Sequence, residues 1–173
     1  TTTLNTSFGS KVVIPGTGVF MNNQMDDFSI QPGVANAFGL VGVEANRVEA
    51  RKRPLSSMSP SLLLKDGKPI MTLGAAGGPT IITQVVQAIV NTVDLNMPLS
   101  DALAALRVHH QWKPDLLLTE DAIPDEELAE LQALGHTVKK RSYMGATQAI
   151  RIDNHGNFVA VSEPRVVERT QTR

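Results

Sequence analysis

The clearest pattern of apolar positions lies between residues 61 and 93, where two short apolar runs precede a helical repeat. The runs, 61–64 and 69–73, flank Asp66-Gly67, a dipeptide typical of a β-hairpin turn. From residue 81 to residue 93 the apolar residues recur at helical spacing, and Pro79 suits the first turn of a helix because its missing N–H would have no partner there. These residues predict a buried hairpin that leads into an amphipathic helix.

Weaker patterns predict the other elements. Residues 100–106 and the segment from Pro124 to Gly135 have helical character, and the acidic residues after Pro124 favour the positive end of a helix dipole. Residues 29–53 follow neither period and are predicted to form a long surface loop. Strands are predicted over residues 1–6, 11–14, 137–140, 147–152 and 158–161. Because helices and strands are largely segregated in this order, the pattern favours an α+β fold over alternating βαβ units.

Composition predicts a globular chain and excludes some functions. Of the 173 residues 42% are hydrophobic, which at this length predicts one compact domain with a sizeable core. The 16 Lys and Arg against 17 Asp and Glu give a net charge of −1, so no basic surface for nucleic acid is expected. No apolar run is long enough to span a membrane, and the absence of Cys excludes disulfide and thiolate chemistry. Since no initiator Met or signal peptide precedes Thr1, we expect a processed fragment or an incomplete record of a chain.

The glycine-rich turn before the predicted helix is one candidate site. The N–H groups of Gly77 and Gly78 would lie at the positive end of that helix, where an anion or a developing oxyanion is stabilised. The same glycines are also expected in a tight strand-to-helix turn that requires positive φ. Because Pro79-Thr80 stands where Lys and Ser or Thr would be needed, the turn is not a nucleotide-binding P-loop.

Other polar segments have both a functional and a structural interpretation. Asp26 and Asp27 are adjacent carboxylates among three amides, and either one of them pairs with a substrate ammonium or both lie in a solvated turn. Ser56 and Ser57 lie between two prolines, where Ser side chains bind a carboxylate or, more often, cap turns. His109-His110 has no spaced His or Cys partner, so neither a metal nor another cofactor is predicted.

Five short segments, spread over nearly the whole chain, occur in the same order in one protein family. They are Thr3-Leu4-Asn5, Asn22-Asn23-Gln24-Met25-Asp26-Asp27-Phe28, Pro54-Leu55-Ser56-Ser57-Met58-Ser59-Pro60, Gly77-Gly78 and His109-His110-Gln111-Trp112. Through them the chain resembles the small subunit of the γ-glutamyltranspeptidases, which are N-terminal nucleophile hydrolases. The resemblance implies that residues 1–173 are the small, catalytic subunit of a heterodimer. It further implies a four-layer αββα sandwich completed by a large subunit that self-cleavage of the same precursor releases, a periplasmic or secreted location, and no cofactor.

The resemblance implies a site for a γ-glutamyl substrate. Asp27, with Asn5 and Gln24, would bind the α-ammonium of the substrate. Ser56 and Ser57 would bind its α-carboxylate, together with an Arg of the large subunit. The two ends of the substrate would therefore meet opposite charges, as the carboxylates and hydroxyls of these segments allow.

The chemistry implied by the resemblance is acyl transfer by a Thr nucleophile. The N–H groups of Gly77 and Gly78 would form the oxyanion hole. Thr1 invites assignment as the nucleophile, because an N-terminal Thr has its own base in the α-amino group. The register of the resemblance instead places the nucleophile one hairpin upstream of Thr1, with Thr3 orienting its hydroxyl. The reaction would form a γ-glutamyl-Thr ester from glutathione, glutamine or another γ-glutamyl compound and pass it to water or to an amino-acid or peptide acceptor.

The long loop, residues 29–53, begins where bacterial members of the family have a lid over the site. Phe38 stands at the lid tip, where many members have a Tyr whose hydroxyl bonds the equivalent of Asn5, so the ratio of transfer to hydrolysis is expected to differ here. Two alternatives stay open: an acylase of the same superfamily for glutaryl or cephalosporin side chains, and a non-catalytic fragment that binds a partner. Because the acylase substrates lack an α-ammonium, Asp27 favours a γ-glutamyl substrate.

Overall fold

A computed structural model describes residues 3–166 of the chain, and residues 61–93 form the elements that their pattern predicts. Strand β1 (Ser61–Lys65) and strand β2 (Lys68–Ala76) pair in antiparallel orientation. Asp66 and Gly67 join them with φ of 52° and 75°, the two positive values that a tight hairpin turn requires. Helix α1 (Thr80–Val93) begins directly after Pro79.

Two short strands between residues 107 and 121 were not predicted. The first has only two residues, and three of the four residues of the second are buried, so neither shows the alternation of apolar and polar positions that indicates a strand. The other elements lie within a few residues of their predicted positions. In chain order these elements are helix α2 (Leu99–Ala104), strands β3 (Val108–His109) and β4 (Leu117–Glu120), helix α3 (Asp125–Ala133), and strands β5 (Val138–Arg141), β6 (Ala146–Ile152) and β7 (Phe158–Val161).

Within residues 3–166 seven strands form two sheets. One sheet has the order β1-β2-β6-β7, with every neighbouring pair antiparallel. The other has the order β3-β4-β5, in which β3 and β4 are antiparallel but β4 and β5 are parallel, with α3 as the crossover. The prediction of an α+β fold is confirmed. One βαβ unit is present within this fold, β4-α3-β5, and it was not predicted because its first strand, β4, was not.

The main core lies between the first sheet and two helices. Met71 and Leu73 of β2 and Ala149 of β6 face α1 and α2, and Leu103 of α2 is only 1% exposed. Burial on this scale is what holds the strand-to-helix turn at residues 77–79 in place, since β2 and α1 both contribute to the core. None of the helices within residues 3–166 is both long and apolar enough to cross a bilayer.

The chain divides into two compact units, Thr1–Ser57 and Met58–Arg173, where length alone predicts one domain. The described part of the first unit has two short 3-10 helices, Gln24–Asp27 and Glu44–Asn46. The strands predicted over residues 1–6 and 11–14 are wrong for the described part. Asn5 and Thr6 have φ of 65° and 43°, values that no strand contains, and the second segment forms only an isolated bridge between Val13 and Phe20.

Candidate functional site

The first unit brings two of the predicted substrate-binding residues together. The side-chain amide of Asn5 donates to Oδ1 of Asp27 at 3.0 Å, although 22 residues separate them. The backbone N–H of Asn5 donates to Oγ1 of Thr3 at 3.0 Å, which ties the predicted orienting hydroxyl to the same pair. The left-handed backbone at Asn5 makes this geometry possible, because it turns the chain instead of extending it.

The two adjacent carboxylates have different partners. Asp26 accepts a bond from the amide of Asn23 at 2.9 Å, whereas Asp27 accepts the one from Asn5. Partial burial raises the pKa of the Asp27 carboxyl, the Asn5 bond lowers that pKa, and the neighbouring Asp26 charge raises it again. A buried carboxylate near a like charge is stabilised by a cation, so Asp27 is suited to a substrate ammonium.

Asn46 connects the backbone of Asp27 to the backbone beside Ser56. Its Nδ2 donates to the carbonyl of Asp27 at 2.9 Å, and its Oδ1 accepts from the N–H of Leu55 at 3.0 Å. Its own carbonyl accepts from the N–H of Ser29 at 2.9 Å. Asn46 was not predicted as a site residue, because an amide that bridges distant segments leaves no periodic signal. An Asn in a long loop suggests a bond to backbone, but not which partners it has.

The predicted lid segment is bonded to the same region. The Asn36 side chain accepts from the backbone N–H of Phe38 at 3.0 Å and from that of Leu40 at 3.0 Å, and it donates to the Asp26 carbonyl at 3.4 Å. The loop also contains two isolated bridges, Ser29 to Arg47 and Ala35 to Val41. Residues 29–53 are therefore an organised loop whose tip, with Phe38 half-buried, is held by one Asn side chain.

The glycine turn lies in the second unit, at the N-terminus of α1. Gly77 and Gly78 have φ of 149° and 61°, so both adopt backbone conformations that favour glycine. A Cβ on Gly77 would lie 2.5 Å from Oγ1 of Thr80 and 2.8 Å from Nε2 of Gln84. Within residues 3–166 neither glycine N–H has a backbone or side-chain acceptor. The turn thus satisfies both interpretations made from the sequence: it is tight, and it presents two free donors at a helix N-terminus.

A buried ionic cluster lies behind the turn and was not predicted. Glu163 is fully buried and accepts from Arg107 at 2.6 Å, from Arg165 at 2.9 Å and from the N–H of Thr147 at 2.8 Å. Burial raises the pKa of Glu163, but these bonds outweigh it and hold the pKa below its usual value. Arg165 also pairs with Glu120 at 2.6 Å. Arg107 and Glu120 are distant in sequence from Glu163 and Arg165, so no local pattern could have indicated the whole cluster.

The remaining candidate residues differ in their exposure to solvent. Gln24 begins the first 3-10 helix and is half-buried, Ser56 is exposed, and Ser57 is half-buried. Thr1 lies outside the described residues. His109 is buried and bonded to Thr83 at 2.9 Å and to Gln111 at 3.0 Å, as a core histidine would be.

Comparison with known proteins identifies the family. The family model described as gamma-glutamyltranspeptidase matches residues 1–171. The chain belongs to the γ-glutamyltranspeptidase family. It is 46% identical over 168 residues to the glutathione hydrolase proenzyme of Escherichia coli (strain K12), a match that covers 97% of this chain and 29% of that protein. The chain therefore spans under a third of the length of that relative.

Solved structures of γ-glutamyltranspeptidases have the same fold. The enzyme from Pseudomonas nitroreducens, complexed with L-DON, matches with a TM-score of 0.88 and 45% identity over 95% of this chain and 87% of that chain. A mutant of the Helicobacter pylori enzyme matches with a TM-score of 0.90 and 44% identity over 95% of this chain and 91% of that chain. These matches confirm the predicted resemblance and the α+β fold of the N-terminal nucleophile hydrolases. Within residues 3–166 no group of three or more His, Asp or Glu side chains is arranged to hold a metal ion.

Proposed function

We propose that this chain is the small subunit of a γ-glutamyl hydrolase and transferase that acts on glutathione, glutamine and related γ-glutamyl compounds. The single observation that carries the proposal is the Asn5–Asp27 pair, a partly buried carboxylate oriented by an amide and lacking a cationic partner among residues 3–166. Burial and, to a lesser extent, the neighbouring Asp26 raise the pKa of the Asp27 carboxyl, and a substrate α-ammonium would lower it. Family membership and the name of the Escherichia coli relative support the same activity.

The opposite end of the substrate would be bound by Ser56 and Ser57. Asn46 supports this assignment, because it fixes the backbone of Leu55 relative to the backbone of Asp27. One rigid amide thus determines the spacing between the site for an ammonium and the site for a carboxylate. Gln24, on the same 3-10 helix as Asp27, would complete the ammonium site.

The reaction would proceed by nucleophilic acyl transfer. A Thr hydroxyl upstream of Thr1, oriented by Thr3, attacks the γ-carbonyl, and its proton passes through the nucleophile's α-amino group to the departing amine. The N–H groups of Gly77 and Gly78 would stabilise the oxyanion. Water or an acceptor amine then attacks the γ-glutamyl ester, loses a proton, and regenerates the hydroxyl.

A large subunit cut from the same precursor would be the partner of this chain. The word proenzyme in the relative's name and the 29% share of its length support this assembly. The large subunit would complete the sandwich and supply an Arg for the substrate carboxylate, and residues 29–53 would act as a lid. N-terminal sequencing of the mature small subunit decides the position of the nucleophile: a Thr upstream of Thr1 supports the proposal, and a chain that starts at Thr1 contradicts it.

The role of Asp27 is tested by two matched substitutions in the mature enzyme made from its full precursor. Asp27→Asn should lower kcat/KM for a γ-glutamyl anilide by the equivalent of about 2–5 kcal/mol, roughly 30-fold to several thousand-fold, because the substrate ammonium loses its counter-charge. Asp26→Asn, the adjacent carboxylate bound to Asn23, should leave kcat/KM near the wild-type value.

A glutaryl anilide, which lacks the ammonium, separates the proposed activity from the acylase alternative. The wild type should prefer the γ-glutamyl anilide, and Asp27→Asn should remove that preference. Equal kcat/KM for wild type and Asp27→Asn on the γ-glutamyl anilide would refute the role of Asp27. A mature, fully processed wild type that hydrolyses neither anilide would favour the non-catalytic alternative.

A further inference from the structure

Two buried side chains of helix α1 hold the carbonyls on either side of Gly77. Nε2 of Gln84 donates to the carbonyl of Ala76 at 3.3 Å, and the hydroxyl of Thr80 donates to the carbonyl of Gly77 at 3.0 Å. Gln84 is 1% exposed and Thr80 is 4% exposed. Both carbonyls therefore face the interior of the second unit.

Because the peptide bond is planar, these contacts also fix the directions in which the N–H groups of the same peptides point. In a trans peptide the C=O and the N–H point in opposite directions. The peptides in question are Ala76–Gly77 and Gly77–Gly78, so their N–H groups are the two oxyanion donors proposed above. With both carbonyls held inward, both N–H groups point away from Gln84 and Thr80, on the side where Ala76 and Gly77 are exposed.

The orientation of the Gln84 amide is itself fixed. Its Oε1 accepts from Oγ1 of Thr147 at 3.0 Å and from Nη1 of Arg107 at 3.4 Å. Because a guanidinium has no acceptor, the amide oxygen must face Arg107 and the NH₂ must face Ala76. Arg107 is in turn paired with the buried Glu163, so the orientation of this amide depends on the ionic cluster.

Thr80 is held in the same way. Its Oγ1 accepts from Nε2 of Gln84 at 3.0 Å and shares its one proton between the carbonyls of Gly77 and Met144, each at 3.0 Å. Glycines at 77 and 145 allow this close approach: a Cβ at either position would collide with the Gln84 amide. The turn and the two side chains thus form one tightly packed hydrogen-bonded network.

We propose that Gln84 and Thr80 are positioning residues that aim the N–H groups of Gly77 and Gly78 at the oxyanion. This inference rests on the proposed function, since it assigns the two residues a role in that reaction. Neither side chain contacts substrate. Each acts through a peptide group, and its loss lets that peptide rotate and misdirect a donor that the transition state needs more than the ground state does.

The test compares Thr80→Val with Thr80→Ser in the mature enzyme, assayed on a γ-glutamyl anilide. Val keeps the shape of Thr but has no hydroxyl, so kcat should fall about 10-fold to 100-fold, the loss expected when a catalytic group is displaced, with KM little changed. Ser keeps the hydroxyl and should restore kcat. Thr83→Val, one helical position away from Gln84 and bonded to His109, is the matched control and should behave like the wild type.

Gln84→Glu provides a second variant that conserves volume. It keeps the oxygen that faces Arg107 but replaces the donor to Ala76 with an acceptor, so kcat should again fall while KM changes little. Wild-type kcat in both Thr80→Val and Gln84→Glu would overturn the positioning role and leave the proposed function intact. A wild type without γ-glutamyl turnover would overturn the proposed function, and the positioning role with it. An equal loss in Thr80→Ser, or a rise in KM without a fall in kcat, would also overturn the positioning role.

Discussion

Residues 3–57 and residues 58–166 hold their candidate site residues by different means. In the first unit Phe28 is the one buried apolar side chain among the described residues, and Asn side chains bridge the loops. In the second unit a core of sheet and helices packs beside a buried ionic cluster. The substrate-binding candidates therefore depend on individual hydrogen bonds, whereas the oxyanion candidates depend on cooperative packing. We expect substitutions of the bridging Asn side chains in the first unit to act mainly on binding, and substitutions in the ionic cluster of the second unit to act mainly on stability.

Glu163→Gln should have the largest effect of the variants that test this comparison, a loss of stability. Removing the charge leaves Arg107 without its buried partner, which should lower the free energy of unfolding by about 3–5 kcal/mol. Thermal and denaturant unfolding of the mature enzyme measure it. Asp125→Asn, which loses an exposed pair with Lys140, is the control and should leave the unfolding midpoint unchanged. Similar midpoints for Glu163→Gln and its control would contradict the assignment of stability to the cluster.

The stability that Glu163 contributes should decrease at acid pH. Because bonds hold the pKa of Glu163 below its usual value, its stabilising effect is present above the ordinary carboxyl pKa and is lost as the pH falls through the lowered one. Glu163→Gln should therefore lose part of the acid dependence of the unfolding free energy. If the unfolding free energies of the wild type and Glu163→Gln differ by the same amount at every pH, the charge of the carboxylate is not what stabilises the fold.

A smaller effect, on binding, is expected from Asn46→Ala. Loss of its bonds to Asp27 and Leu55 should raise KM for a γ-glutamyl anilide by the equivalent of about 1–3 kcal/mol, roughly fivefold to 150-fold, with kcat little affected. The unfolding midpoint should shift less than in Glu163→Gln. Asn157→Ala, in the exposed β6–β7 turn, is the matched control. A lowered kcat at unchanged KM would show that Asn46 does not set the spacing of the substrate site.

The pH dependence of binding should follow Asp27. Burial raises the pKa of Asp27, so its ionised form, and with it substrate binding, should be lost on acidification at a higher pH than for an ordinary carboxyl. KM of the wild type and of Asp26→Asn should rise as the pH falls, and KM of Asp27→Asn should not. Since a raised carboxyl pKa means that folding disfavours the charge, Asp27→Asn should be no less stable than the wild type at neutral pH. If KM of Asp27→Asn still rises as the pH falls, the Asp27 carboxyl is not the group whose protonation weakens binding.

The smallest effect is expected from Phe38→Tyr at the tip of the proposed lid, where the family resemblance implies a Tyr hydroxyl beside Asn5. A hydroxyl there would offer Asn5 a hydrogen bond worth about 0.5–1.5 kcal/mol, which should shift the ratio of transfer to hydrolysis by severalfold. Competition between water and an acceptor dipeptide measures the ratio. Phe38→Leu controls for the loss of the ring, and an unchanged ratio in Phe38→Tyr would place the tip away from the acyl group.

Prediction from the sequence succeeded where periodic patterns are long and failed where contacts are distant. The β1–β2 hairpin and helix α1 were predicted because Asp66-Gly67 and the helical repeat are local signals. The strands expected at residues 1–6 and 11–14 were wrong for the described part, since Asn5, Thr6 and Lys11 have positive φ and the chain turns there despite its β-branched residues. Strand β4 was missed because three of its four residues are buried, so its apolar and polar positions do not alternate.

The family, the α+β class and the candidate residues can be predicted from the amino-acid order alone, since they depend on motifs and periods that lie within short segments. The bonds of Asn46 to Asp27 and Leu55, and those of Gln84 and Thr80 to the peptides of the glycine turn, are visible only in the folded chain. Such bonds join groups many residues apart, and a side-chain amide or hydroxyl has several possible partners. The partner is chosen by the packing of the whole unit, which no short segment of sequence contains.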